Sequence, residues 1–423
     1  YMSETPGKRA GRDGPRTLGD VSESWLGKLG SYEEALALYR RRLEGDGGDV
    51  EAILGAMKCL DALGEWHEAC GLLVRSWPRL QVALGENVEP RPSASAMNLA
   101  TLAASNPPAS PAPKAASSGA LDALAASTES RGGPSPRETR LLMKAANVGA
   151  RSAWALGRWG EMTNFVAAME DDDASKPFYR AILALRSRER LEPARIDEAV
   201  DLVDDARRLL HGSFAALVAE SYKRAYGTMV TVQQLAELEE IVGLRRVELA
   251  ARGESRRSGD ARRGADAVSD HRAALVARWR RRLAGCPHDV AVWQRVLNVR
   301  ALVLSYEDDP DSWLRYASLC RHSGNAALSE SVLTRQLGFD PASAPTAADG
   351  LPDHRLRYAY AKHCHAAGKR ADALRRVEEL ADALGDAPAN LAFDRLRARC
   401  LLRLGDWRSR GPDGRASPAP GSP

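Results

Sequence analysis

Leu60-Asp61-Ala62-Leu63-Gly64-Glu65-Trp66 is the stretch that decides the fold. A run of apolar residues at helical spacing reaches Leu63, a glycine stops it, one polar residue follows, and an aromatic opens the next run. Glycine suits the stop because, without a Cβ, it takes the left-handed backbone that ends a helix at no steric cost. The pattern recurs at Leu26-Gly27-Lys28-Leu29-Gly30-Ser31-Tyr32, Ala153-Trp154-Ala155-Leu156-Gly157-Arg158-Trp159 and Leu401-Leu402-Arg403-Leu404-Gly405-Asp406-Trp407. Gly30, Gly64, Gly157 and Gly405 are therefore read as repeat turns, and Trp66 and Trp159 as aromatics that open and brace the following helix. Gly30 and Gly64 lie 34 residues apart, the tetratricopeptide period.

Outward from these turns the apolar positions keep helical spacing. Tyr32, Ala35, Leu36, Tyr39 and Leu43 form one stripe, and Trp66, Ala69, Cys70, Leu73 and Trp77 form its counterpart in the next pair. A helix with such a stripe must bury it, and stacked pairs do so by covering one another in turn. Looser turns stand at Ser323-Gly324-Asn325 and Ala367-Gly368-Lys369, and Asp309-Pro310 reads as a helix start with Asp as cap and Pro in the first turn. The expectation is an all-α, tetratricopeptide-like helical-repeat solenoid with disordered insertions.

Composition agrees. Hydrophobic residues make up 44% and charged residues 27% of the 423, with Ala, Leu and Arg dominant and β-branched runs scarce. A net charge of +4 gives no global field to steer the chain to nucleic acid or an anionic membrane. No stretch approaches the 18 uninterrupted apolar residues of a transmembrane segment, and the N-terminus has no signal-peptide core. The six cysteines make no C-x-x-C pair and read as reduced core thiols. His363 and His365, two apart, face different sides of a helix, so no metal is expected.

Segment boundaries follow the composition. Residues 1–20 are Gly/Arg/Pro-rich and read as disordered; 21–80 are helical repeats; 81–138, with Asn106-Pro107-Pro108 and Gly132-Gly133-Pro134, read as a low-complexity insertion. Helical repeats resume over 139–250, a second disordered insertion is expected at 251–270, repeats continue over 271–410, and 411–423 is a disordered tail. Ser110-Pro111, Ser135-Pro136 and Ser417-Pro418 match the pattern of proline-directed phosphorylation, but in Ser/Pro-rich stretches such pairs arise by composition. Position 1 is not Met, and Gly411-Pro412-Asp413-Gly414 interrupts the helix expected to open at Trp407, so a fragment or a false gene terminus is expected.

Several blocks go beyond a generic repeat. Lys58-Cys59-Leu60-Asp61-Ala62-Leu63-Gly64-Glu65-Trp66, Pro177-Phe178-Tyr179-Arg180-Ala181-Ile182-Leu183-Ala184-Leu185 and Ala219-Glu220-Ser221-Tyr222-Lys223-Arg224-Ala225-Tyr226-Gly227-Thr228-Met229-Val230 come first. Gln234-Leu235-Ala236-Glu237-Leu238-Glu239-Glu240 follows, then a block from Trp279 to Pro341 that includes Trp313-Leu314-Arg315-Tyr316-Ala317-Ser318-Leu319-Cys320. In this order they resemble the FAT region of target-of-rapamycin (TOR) kinases. The resemblance implies a non-catalytic scaffold in a large serine/threonine kinase, bracing and restraining a kinase domain in cis and meeting protein subunits of a TOR complex. It also implies a cytoplasmic protein that reaches endomembranes through its partners. ATP and Mg belong to the kinase domain, not to this chain.

The residues support the non-catalytic reading. Phosphoryl transfer needs a phosphate-cradling loop, a lysine, a catalytic aspartate and metal carboxylates. No G-x-G-x-x-G, G-x-x-x-x-G-K-S/T, H-R-D or D-F-G occurs, and Asp353-His354-Arg355 lacks the asparagine and D-F-G that would follow in a kinase. Arg278, Arg281 and Arg282 share a helix face and read as a solvated basic patch. A sharper cluster joins Arg315, His322 and Lys362, with Lys369 and Arg370 nearby, on helices expected at 313–321 and 356–366. The resemblance implies a basic pocket for a highly phosphorylated inositol at Arg315, His322 and Lys362. His322 stands where the family carries lysine, and Ala366 and His288 where it carries further basic residues. The alternative, a stand-alone tetratricopeptide adaptor for a peptide, requires a regular 34-residue register; Gly324 and Gly368 are 44 apart, and Gly368 and Gly405 are 37 apart.

Overall fold

The computed structural model describes residues 23–45, 47, 49–84, 135–186, 192–258, 261–306, 308–346, 349–388 and 390–409, and the only regular structure among them is helical. The first pairs are α1 (Glu23–Leu29) with α2 (Tyr32–Gly45) and α3 (Val50–Leu63) with α4 (Trp66–Leu84). Then come α5 (Pro136–Ala155), α6 (Trp159–Ala167), α7 (Ser175–Leu185) and the long α8 (Pro193–Glu220), α9 (Tyr222–Ser258) and α10 (Ala261–Ala284). The last block is α11 (Val290–Arg300), α12 (Pro310–His322), α13 (Ala326–Ser331), α14 (Leu351–Ala366), α15 (Arg370–Asp386) and α16 (Leu391–Ser409). Each helix packs chiefly on its sequence neighbours, as a solenoid requires.

The turns show why the sequence stops where it does. Gly30, Gly64, Gly157, Gly324 and Gly368 have φ of 85, 82, 67, 83 and 80°. At Gly64 the N–H donates to the Asp61 carbonyl at 3.2 Å, and the Glu65 N–H donates to Leu60 at 2.8 Å. Gly157 repeats the pair through Trp154 and Ala153, at 3.0 and 2.8 Å. Orphan carbonyls at each helix end are thus satisfied by backbone that only glycine adopts freely. The starts are capped too: Asp49 accepts from the Ala52 N–H at 3.0 Å, and Ser135 forms a reciprocal capping box with Glu138. Ser135 of the Ser-Pro pair is therefore a helix cap.

Two large cores form. One runs through α3 to α10 and is lined by Met57, Leu73, Phe165, Ile182, Leu238 and Trp279. The other joins α11 to α16 around Trp313, Tyr316, Val332, Val377 and Trp407. Trp66, far earlier in the chain than the rest of that cluster, belongs to the second core and not the first. Asn325 donates its side-chain amide to the carbonyls of Ala62 and Leu63 at 3.2 and 3.4 Å, and a Cβ on Gly64 would lie 2.7 Å from Leu328 Cδ1. The superhelix therefore brings an early repeat turn onto the α12–α13 turn.

Three expectations change. Gly405 is no turn: α16 runs through it to Ser409. A helical glycine costs only about 1 kcal/mol, and continuing the helix buries Trp407, which stacks on His365 at a ring separation of 4.0 Å. Residues 251–270 are not a disordered insertion: 251–258 end α9 and 261–270 begin α10. Their Ala, Arg and Glu are strong helix formers, and Gly264 lets the two helices meet, since a Cβ there would lie 3.0 Å from that of Ala251. The 81–138 insertion is shorter at both ends, because α4 reaches Leu84 and α5 is capped at Ser135. The readings for 1–20, the middle of 81–138 and 411–423 lie outside the described residues.

Candidate functional site

The second core carries a cavity of about 230 Å³ on its outer side, between α12, α14 and α16. Asp309 caps α12 and Pro310 fixes its first turn, so Arg315, Ser318 and Arg321 fall on one stripe of that helix. Arg355, Tyr358, Ala359 and Lys362 form the facing stripe of α14, and Leu396 and Arg399 close the cavity from α16. Arg315 is exposed, while Arg321, Arg355 and Lys362 are half-buried.

The charge balance is one-sided. Asp311 is the carboxylate in the lining, and Arg355 holds it. Among the described residues no carboxylate lies within ion-pair distance of Lys362, Arg315, Arg321 or Arg399. The Lys362 ammonium sits 4.6 Å over the Tyr358 ring. Burial, then the guanidinium groups of Arg321, Arg403 and Arg399, push its pKa down to about 8. Burial and Arg403 likewise lower Arg321. Such an arrangement attracts a compact polyanion, which would supply the missing counter-charge.

Of the residues read from the sequence, Arg315 and Lys362 meet in this cavity and His322 does not. Its Nδ1 lies 2.7 Å from the Ser318 carbonyl, so the ring donates back into its own helix beside Arg321. Lys369 and Arg370 also lie outside the lining, and Arg370 donates to the Trp407 carbonyl. Ala366 is exposed, and His288 stacks on Trp293. Arg321, Arg355 and Arg399 went unnoticed. Arg355 and Lys362 are seven apart on one helix, a two-turn spacing that was legible.

Most of the other basic cluster is consumed internally. Arg278 and Arg282 both donate to Glu240 at 2.8 Å, Trp279 adds its indole N–H at 2.6 Å, and Arg280 reaches Asp309 at 2.7 Å. Against burial, the hydrogen bonds from Arg282, Arg278 and Trp279 hold Glu240 below the usual carboxylate range. Arg278 and Arg282 thus clamp α10 to α9, while Arg281 is exposed.

Among family models, that of the FAT domain matches residues 146–417. The chain belongs to the FAT domain family. The FAT domain here covers α12, α14 and α16, so the cavity lies within it. The chain is 29% identical over 398 residues to serine/threonine-protein kinase mTor of Drosophila melanogaster, covering 92% of this chain and 13% of that protein. It is 28% and 30% identical to serine/threonine-protein kinase TOR of Arabidopsis thaliana and of Oryza sativa subsp. japonica, covering 92% of this chain and 14% of each. The chain thus spans about a seventh of the length of these relatives. Among solved structures the tetratricopeptide domain of P58(IPK) is similar at 13% identity, covering 91% of this chain and 96% of that one, with a TM-score of 0.19. Among the described residues no helix is long and apolar enough to cross a membrane.

Proposed function

We propose that the chain is a non-catalytic FAT scaffold segment of a TOR-type serine/threonine kinase, which braces and restrains a kinase domain in cis and offers its outer faces to complex subunits. The observation that carries the reading is the likeness to TOR kinases over 92% of the chain. Two charged pairs buried in the helical stack, Glu237–Arg300 and Arg245–Glu248, join neighbouring groups of the scaffold. The reading assigns the chain to the cytoplasm, at endomembranes when its partners are there. Sequencing the transcript beyond Pro423 tests it: a continuous frame encoding a kinase catalytic loop is the expected result, and a stop without one overturns it.

The basic cavity favours a second element of the same reading, a highly phosphorylated inositol as resident ligand. Arg315, Arg321, Lys362 and Arg399 supply cations from three helices, and an anion bridging them would lock α12, α14 and α16 together. Calorimetric titration with inositol hexakisphosphate should show saturable binding by the chain and its loss in an Arg315→Ala, Arg399→Ala double variant. Both residues are exposed, so the fold survives the change. Absence of binding by the unaltered chain removes the ligand from the proposal.

A further inference from the structure

The cavity holds a nucleophile as well as charge. Lys362 projects its ε-amine into it from α14, faced by Asp311, Arg315 and Arg321 on α12, by Arg355 and Tyr358 on its own helix, and by Arg399, Cys400 and Arg403 on α16. Asp311 is engaged by Arg355, Arg403 lies 3.5 Å from Asp406, and no described carboxylate pairs with Lys362. We propose that Lys362 is an acylation site for small acyl phosphates, with the guanidinium groups of Arg315, Arg321 and Arg399 seating the phosphate while the amine meets the adjoining carbonyl. The proposal rests on the anion-binding reading of the same cavity, and adds a covalent consequence to it.

The chemistry balances without further reagents. The amine lone pair forms a C–N bond to the carbonyl carbon, the C–O bond to phosphate breaks, inorganic phosphate leaves, and the ammonium proton passes to solvent. The product is a neutral amide in place of a cation. At about 230 Å³ the cavity has room for about eight waters at ~30 Å³ each, enough for a phosphate bearing a short acyl group. Only a neutral amine attacks. With the pKa pushed down to about 8, about one Lys362 in five is neutral at pH 7.4, against about one in a thousand for a lysine at the reference value near 10.4. If amines follow a Brønsted slope like the ~0.4–0.5 of thiols, lower basicity takes back about a factor of ten, leaving an advantage of about twentyfold. Acylation would remove one of the cations facing a bound polyanion and so weaken the pocket's hold on it.

The test treats the 423-residue chain with acetyl phosphate at pH 7.4 and follows each lysine by peptide mass spectrometry. Lys362 should be acetylated about twentyfold faster than the exposed Lys58 and Lys369, and inorganic pyrophosphate should slow Lys362 while leaving those two unchanged. The exposed-site variant Arg315→Ala should erase much of the preference. Equal rates at the three lysines, or a fast Lys362 that pyrophosphate does not protect, overturn the proposal. Calorimetry with pyrophosphate separates the two readings. Binding without preferential acetylation sinks the acylation site alone, and no binding with no preference sinks both.

Discussion

Replacing Gly64 by alanine loads two separate demands onto one Cβ. The first is conformational: φ is 82°, and an L-residue in the left-handed region loses about 1–2 kcal/mol. The second is steric: the new Cβ would lie 2.7 Å from Leu328 Cδ1, and Leu328 is 1% exposed with little room to yield. Forcing extra volume into a packed site costs about 1–3 kcal/mol, so Gly64→Ala should destabilise by about 2–5 kcal/mol. Gly157→Ala is the control, because φ is 67° and nothing lies within 4 Å of its Cβ, leaving the conformational term alone. Urea titration followed by circular dichroism should place Gly64→Ala about 1–3 kcal/mol below Gly157→Ala. A double-mutant cycle with Leu328→Ala should return a coupling of about 0.5–3 kcal/mol between these contacting residues, far apart in sequence. Equal losses at the two glycines, or no coupling, would refute the docking of the early repeat on the α12–α13 turn.

Trp66, 4% exposed in the second core, should cost about 3–5 kcal/mol as alanine, and an unchanged melting curve counts against its packing. Glu237→Gln should cost about 3–5 kcal/mol, because Arg300, buried over the Trp279 ring, donates to both carboxylate oxygens at 2.9 and 2.7 Å. Arg40→Ala, which breaks the exposed pair with Glu68, should cost at most ~1 kcal/mol in the same urea assay; similar losses would show the buried pair contributes nothing special. Burial holds His354 and His363 below the usual imidazole pKa, against the raising influence of Asp349 and Glu330. A base whose folded pKa is depressed binds its proton more readily when unfolded. Stability is therefore full above the unfolded value near 6.5 and falls as pH drops below it. The urea midpoint should decline from pH 7 to pH 5 less steeply in a His354→Leu, His363→Leu variant, and parallel declines would show that carboxylates alone set the acid limit.

How much of this was legible depends on whether the signal is local. Gly64 and Gly157 announce their turns because the left-handed backbone is a requirement of one residue. Gly405 carries the same flanking letters yet stays helical, since its fate turns on Trp407 finding His365 and the late core, which no seven-residue window contains. Residues 251–270 were misread for a related reason. Their charge and glycine content resembles a linker, but alanine and arginine favour helix, and Val268 packs on the first core. In the cavity, the Arg355–Lys362 spacing was visible along one helix. That Arg399 would face it was not, because the approach of α16 is set by how α15 stacks on α14.

The distribution of ion pairs argues that the cavity's charge is there to be used. Elsewhere among the described residues most buried or half-buried arginines are matched by a carboxylate: Arg300 to Glu237, Arg245 and Arg272 to Glu248, Arg282 to Glu240, Arg151 to Asp61; Arg295 is held by neutral groups instead, Thr231, Gln234 and the Gly227 carbonyl. Between α12, α14 and α16 the same chain gathers Arg315, Arg321, Lys362 and Arg399 around one carboxylate already taken by Arg355. Like charges gathered together oppose folding, and here burial first and then the neighbouring guanidinium groups depress the pKa of Lys362. An anion that enters binds the folded chain and not the unfolded one. At a hundred times its Kd it therefore stabilises the fold by about 2.7 kcal/mol. On the proposed reading, a ligand that offsets the repulsion where three helices of the last block meet should stiffen that block. A melting temperature for the 423-residue chain that rises with inositol hexakisphosphate, and does not rise in the Arg315→Ala, Arg399→Ala variant, is the required outcome. A rise of equal size in both would place the anion elsewhere and leave the cluster's charge without a purpose.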